Sequence, residues 1–80
     1  MNLTKAQNPF GVQAGQKWKP KDKRREETFI IGKIDKWWTL YGRDGNYALA
    51  EYRRHGDKDK PIEKSSWINI LRFDRYVRVK

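Results

Sequence analysis

The sequence predicts a mainly β domain, a small strongly bent antiparallel sheet or SH3-like barrel of five to six strands with a short helical turn near the C-terminus. Three observations lead there. Runs of four to seven residues rich in branched and aromatic side chains recur along the chain. Turn-forming residues such as Asp44-Gly45 separate them. No stretch carries the apolar period of a long helix.

Residues 1–15 hold Gln, Asn, Gly and Pro9 without apolar periodicity and are expected to form an irregular arm, with Phe10 and Val12 as its pins. Residues 16–80 are then one small β-barrel domain. A short strand at 16–19 leads into a charged loop. Residues 28–34 and 37–41 read as two strands of a hairpin, with Asp35-Lys36 between them. That pair is a poor tight turn, because the favoured turns want Gly or Asn at positive φ. Residues 42–46, containing Asp44-Gly45, make a much better turn before a strand at 47–53. A polar loop at 55–64, a strand at 65–70, one helical turn at 71–75 and a last strand at 76–79 complete the reading. An OB-like barrel competes with the SH3-like one. A helix capped by Ser66, with Ile68, Leu71 and Tyr76 on one side, is the alternative for the C-terminal region.

Size and charge bound the function. Eighty residues make one domain with a small core, burying about 60% of the surface its unfolded chain exposes, which argues against a large interior active site. The absence of Cys removes disulfides and thiolate metal sites and fits a cytoplasmic location. No apolar run reaches the roughly 20 residues of a membrane helix, and Met1 to Lys5 lacks a signal-peptide core, so no membrane partner is expected. Nineteen Lys and Arg against ten Asp and Glu give a formal charge of +9, beside four Trp and four Tyr. Positive charge interleaved with planar rings is what a polyanion with stackable bases requires, so DNA or RNA is the first expected partner.

Within this pattern, Gly15-Gln16-Lys17-Trp18, the Arg24-Arg25 pair, Thr28-Phe29-Ile30-Ile31 and the ending Ile68 to Phe73 followed by Tyr76-Val77 stand out. The stretch from Gly15 to Val79 resembles small, largely uncharacterised proteins of bacteria and their phages. That resemblance implies an SH3-like barrel and a phage or mobile-element origin, with the bacterial host cell as the location. It implies no established activity. The paired Trp37-Trp38 and the charged loop from Arg53 to Lys64 depart from the pattern.

The candidate binding residues form two constellations. Lys17, Lys19, Lys21, Lys23, Arg24 and Arg25 place six cations within nine residues, opposed by Asp22. Arg72, Arg75 and Arg78 form a second basic stretch, opposed by Asp74. The first and last strands of an SH3-like barrel are neighbours, so the two stretches are expected to merge into one phosphate-binding surface. The plain alternative is a solvated charged loop. Trp37, Trp38 and Tyr41, near Tyr47 and Tyr52, supply candidate stacking rings. Neighbouring residues on a strand face opposite sides, so Trp37 and Trp38 cannot share a one-sided core. Trp18 and Trp67 are expected in the core.

Catalytic chemistry is thinly represented, and the chain is expected not to be an enzyme. His55 is the only His and has no Cys to activate. Asp57, Asp59 and Glu63 lack the spacing of a calcium loop, and Lys58, Lys60 and Lys64 compete for them. Neither a metal nor any other cofactor is expected. An aromatic cage for methylated lysine would need Glu51 or Asp44 as its acid. The functional expectation is a non-enzymatic nucleic-acid binder. The alternative is a phage-type accessory or inhibitor protein that binds an acidic host protein, such as a nucleic-acid enzyme or a defence component.

Overall fold

Branched and aromatic residues at Phe29, Ile30 and Ile31 open one of the two longest extended runs, and in the computed structural model that run continues to Trp37. The structure describes residues 3–25, 27–37 and 45–79. Its strands are β1 (Lys17–Pro20), β2 (Phe29–Trp37), β3 (Gly45–Arg53), β4 (Ile62–Asn69) and β5 (Tyr76–Val79). They pair antiparallel in one open sheet in the order β4-β3-β2-β1-β5. The mainly β, five-stranded bent sheet is therefore as expected, with a 3-10 helix, Ile70–Arg75, in place of the predicted helical turn.

Two boundaries differ from expectation. Asp35 and Lys36 form no hairpin turn: they pair with Tyr47 and Asn46 inside the β2–β3 ladder. They sit near the end of the strand, past the core, where both faces tolerate polar side chains. The connection instead runs through 38–44, outside the described residues, while Gly45 and Asn46 already belong to β3. At the other boundary, β4 begins at Ile62 rather than at residue 65. Ser66 caps no helix, since it lies in β4 opposite Ala50. The cap of the 3-10 helix is Asn69, whose side-chain oxygen accepts from the Leu71 N–H at 3.0 Å.

Register fixes which side chains meet. Ala48 and Ala50 are fully buried, and residues directly opposite them share their face: Ile34 and Ile68 beside Ala48, Ile31 and Ser66 beside Ala50. A bulge between Ile31 and Ile34 inserts one residue and returns Ile34 to the core side. The small alanines let the 3-10 helix come close to β3, so Ile70 and Phe73 close the core from above. Phe73 meets Trp18 edge to face, with centroids 5.0 Å apart, and Phe29 and Tyr76 extend the aromatic stack. Trp18 is thus the core residue expected. Trp67 is not: it pairs with Leu49 on the opposite face and is half-buried, with the Lys33 ammonium 5.6 Å from its ring centroid.

The N-terminal arm contains turns but no strand or helix over residues 3–16. Val12 pins it as a fully buried core residue, whereas Phe10 is exposed. The Gly15 N–H donates to the Ile31 carbonyl at 2.8 Å and the Ile31 N–H to the Gln16 carbonyl at 2.9 Å, tying the arm to β2, and two side chains brace it from within. Asn8 both donates to the Val12 carbonyl and accepts from its N–H, at 2.8 and 2.9 Å. Gln16 accepts from the Trp18 indole and the Gln13 N–H and donates to the Gly11 carbonyl.

Candidate functional site

Antiparallel pairing of β1 with β5 brings the two basic stretches together. Lys17 stands opposite Val79, Trp18 opposite Arg78, Lys19 opposite Val77 and Pro20 opposite Tyr76. One step further, the Lys21 N–H donates to the Arg75 carbonyl at 3.0 Å. Adjacency does not give a single face, however. Directly paired residues point the same way, so Lys17 and Lys19 share a face with the two valines, while Arg78 shares the opposite face with Trp18. On the 3-10 helix, positions three apart eclipse, which stacks Arg72 over Arg75 on the exposed side while Ile70 and Phe73 take the buried side.

Asp22 shapes the loop after β1. Its carboxylate accepts from the Arg24 N–H at 3.0 Å and its carbonyl from the Arg25 N–H at 3.1 Å, folding a turn that presents Lys23, Arg24 and Arg25 to solvent. Between this loop and β5 lies a cleft of about 580 Å³. Lys19, Lys21, Lys23 and Arg25 line it over a floor of Pro20, Thr28 and Val77, and Asp22 is the acid among its lining residues. The ion pairs described are Lys33 with Asp35, Arg53 with Glu51 and Lys64 with Glu27. Among the described residues, therefore, none of the four cleft cations is neutralised by a carboxylate of the protein.

A second cleft, of about 670 Å³, begins on the other side of Thr28. Its walls are Glu27 and Thr28 from the loop before β2, Tyr52 and Arg53 from β3, His55 and Gly56 from the following turn, and Glu63 and Lys64 from β4. The turn comes close because His55 and Gly56 both take positive φ, 58° and 69°, and the Asp57 N–H donates to the Arg54 carbonyl at 3.1 Å. A Cβ on Gly56 would stand 3.2 Å from the Thr28 methyl. The Lys64 ammonium lies 4.7 Å from the Tyr52 ring centroid and 3.3 Å from the Glu27 carboxylate. Burial pushes the Tyr52 phenol above its ordinary value, opposed by its hydrogen bond with Ser66.

Lys17 and Lys19 thus lie on one face of the β1–β5 ladder, with Lys23, Arg24 and Arg25 in the loop beyond it, whereas Arg78 shares the Trp18 face, the side on which the 3-10 helix carrying Arg72 and Arg75 packs. Trp38 and Tyr41 lie outside the described residues, and Trp37 is described in its backbone alone, at the far end of β2 from the basic loop. Sequence reasoning gave Thr28 no binding role, named Lys64 only as a competitor for the loop carboxylates, and named Tyr52 only as a neighbour of other rings. Its one signal was the alternation of Ala48, Ala50 and Tyr52, which aligns Tyr52 with the core face at the sheet's end.

Glu51, the described candidate acid for an aromatic cage, is engaged elsewhere, against Gly32 and Arg53; Asp44 lies outside the described residues. Among the described residues, no group of three or more His, Cys, Asp or Glu stands placed to hold a metal ion, and no helix is long and apolar enough to cross a membrane. Comparison with protein-family models, with curated proteins and with solved structures returned no match.

Proposed function

We propose that this protein binds nucleic acid, without catalysis, by seating phosphates in the cleft of Lys19, Lys21, Lys23 and Arg25, with Lys17 and Arg24 extending the positive field. The observation that carries this reading is the cleft itself. It concentrates four cations, free of carboxylate partners among the described residues, beside a loop whose shape Asp22 sets. Phosphates are drawn to such a surface by charge and held by displacing their counterions. Arg25 adds a forked donor that suits phosphate oxygens. Arg78, and the 3-10 helix that carries Arg72 and Arg75, lie on the other side of the ladder and contribute to the long-range field only.

Counterion release supplies the test. Four phosphate contacts give a slope of about −3 in the logarithm of affinity against the logarithm of salt on a single strand, from roughly 0.7 per contact. Anisotropy titrations of a labelled oligonucleotide across salt concentrations read it directly. A slope near zero contradicts the reading. Capture from nuclease-treated bacterial lysate of one acidic protein, by a chain that binds no oligonucleotide, supports the phage-type accessory or inhibitor function instead.

A further inference from the structure

Resting on the phosphate-cleft reading, we propose that the second cleft, across Thr28, takes an unstacked nucleobase against Tyr52, so that the bound nucleic acid is single-stranded. The two clefts adjoin at Thr28, which lines both, so a strand seated in the cationic cleft has the other as its neighbour. Their chemistry changes there. The charged residues of the first are four cations and Asp22, whereas the second sets Glu27 and Glu63 among Arg53, His55 and Lys64. Two carboxylates repel a phosphate. A base edge, which carries donors and acceptors side by side, matches such a mixture.

Tyr52 supplies the platform. Its ring packs on Phe29, with centroids 5.5 Å apart, and is fixed there by the aromatic core. Toward the cleft it is covered by the Lys64 ammonium, held by Glu27. That side chain is 60% exposed, so its pairing yields readily and the ammonium can move to an incoming phosphate. The cleft volume of about 670 Å³ falls within the 300–1,000 Å³ or so of typical ligand sites. In a duplex the bases are stacked inside and present no free face to Tyr52.

The test varies the ligand and leaves the protein intact. Anisotropy titrations compare a short thymine or uracil homopolymer, as DNA and as RNA, with the same backbone carrying abasic units and with a duplex of equal length. The intact strands are expected to bind roughly tenfold more tightly than the abasic one, as stacking on one ring implies, and more tightly than the duplex despite its denser charge. Tyr52→Phe is expected to keep this discrimination. Equal affinity for intact and abasic strands, or for single strand and duplex, overturns the base site, while a persisting salt slope leaves the phosphate cleft standing. Absence of binding to every ligand overturns both.

Discussion

The carboxylate of Glu51 lies flat against the backbone of Gly32 at the β2 bulge, so near that a Cβ on Gly32 would stand 2.6 Å from the Glu51 Cδ. Gly32 is there for want of a side chain rather than for an unusual φ. The bulge needs a residue under which Glu51 can lie while reaching Arg53, 3.6 Å away.

Gly32→Ala is therefore expected to cost little, about 1 kcal/mol or less, because the displaced atoms are the end of a flexible side chain whose ion pair is worth no more than that. In a Glu51→Ala background the same change is expected to be neutral, or stabilising by about 0.4–1 kcal/mol through the stiffer unfolded chain. Urea denaturation of the four members of this double-mutant cycle measures it. An undiminished cost in the Glu51→Ala background would place the requirement in the backbone.

The turn after β3 makes a prediction of opposite signs at adjacent positions. His55 holds a left-handed φ of 58° that costs an L-residue free energy, so His55→Gly is expected to stabilise by up to about 1 kcal/mol. Gly56→Ala is expected to destabilise by about 1–3 kcal/mol, because φ is 69° and the new methyl presses on Thr28. Thermal melts that move both variants the same way contradict the turn geometry.

The alkaline limb of stability follows from Tyr52. Burial raises its pKa above the ordinary 10.0, with Tyr76 and Glu27 adding to the rise and Ser66 and Arg25 opposing it. A folded-state pKa above the unfolded one means that the neutral phenol stabilises the fold fully below pH 10 and that this contribution is lost as pH climbs through the folded value. Phenolate absorbance should show a step above pH 10 that Tyr52→Phe removes, together with part of the alkaline loss of stability. Loss in Tyr52→Phe of a phenol that titrates at the ordinary value of 10.0, rather than of a step above it, would show that the phenol is not buried.

Closing the core from above makes Phe73 indispensable. It is fully buried against Trp18, Phe29 and Tyr76. Phe73→Ala is expected to cost about 3–5 kcal/mol, most of what a domain this small has, and to leave the chain largely unfolded at 37 °C by circular dichroism. A cooperative melt close to that of the parent would mean that the 3-10 helix does not carry the core.

Much of the sheet was legible because the apolar residues of β1, β2 and β5 are branched or aromatic and flanked by turn residues. The false hairpin at Asp35-Lys36 arose because a strand running past its core can be polar on both faces, which periodicity cannot separate from a turn. Trp67 was misplaced for the opposite reason: Trp67, Ile68 and Ile70 are all apolar, so no alternation marks the inward side, and only pairing with β3 decides it. Of the site, the joining of residues 17–20 to 76–79 followed from the expected strand order. The split between Lys19 and Arg78 depends on register. The meeting of Thr28 with Gly56 comes from a turn folding back onto a loop, and no sequence spacing signals it.

Charge reversal at two positions in the cleft, compared with the same reversal elsewhere, addresses the phosphate site most directly. Lys21→Glu with Arg25→Glu, and Lys5→Glu with Lys33→Glu as the control, change the net charge equally. On a single-stranded oligonucleotide the cleft pair is expected to lose affinity and to flatten the salt slope by about 1.4, two contacts at roughly 0.7 each, while the control pair keeps the parental slope. Equal losses in slope for both pairs would show that the chain responds to net charge alone and that the cleft seats no phosphate.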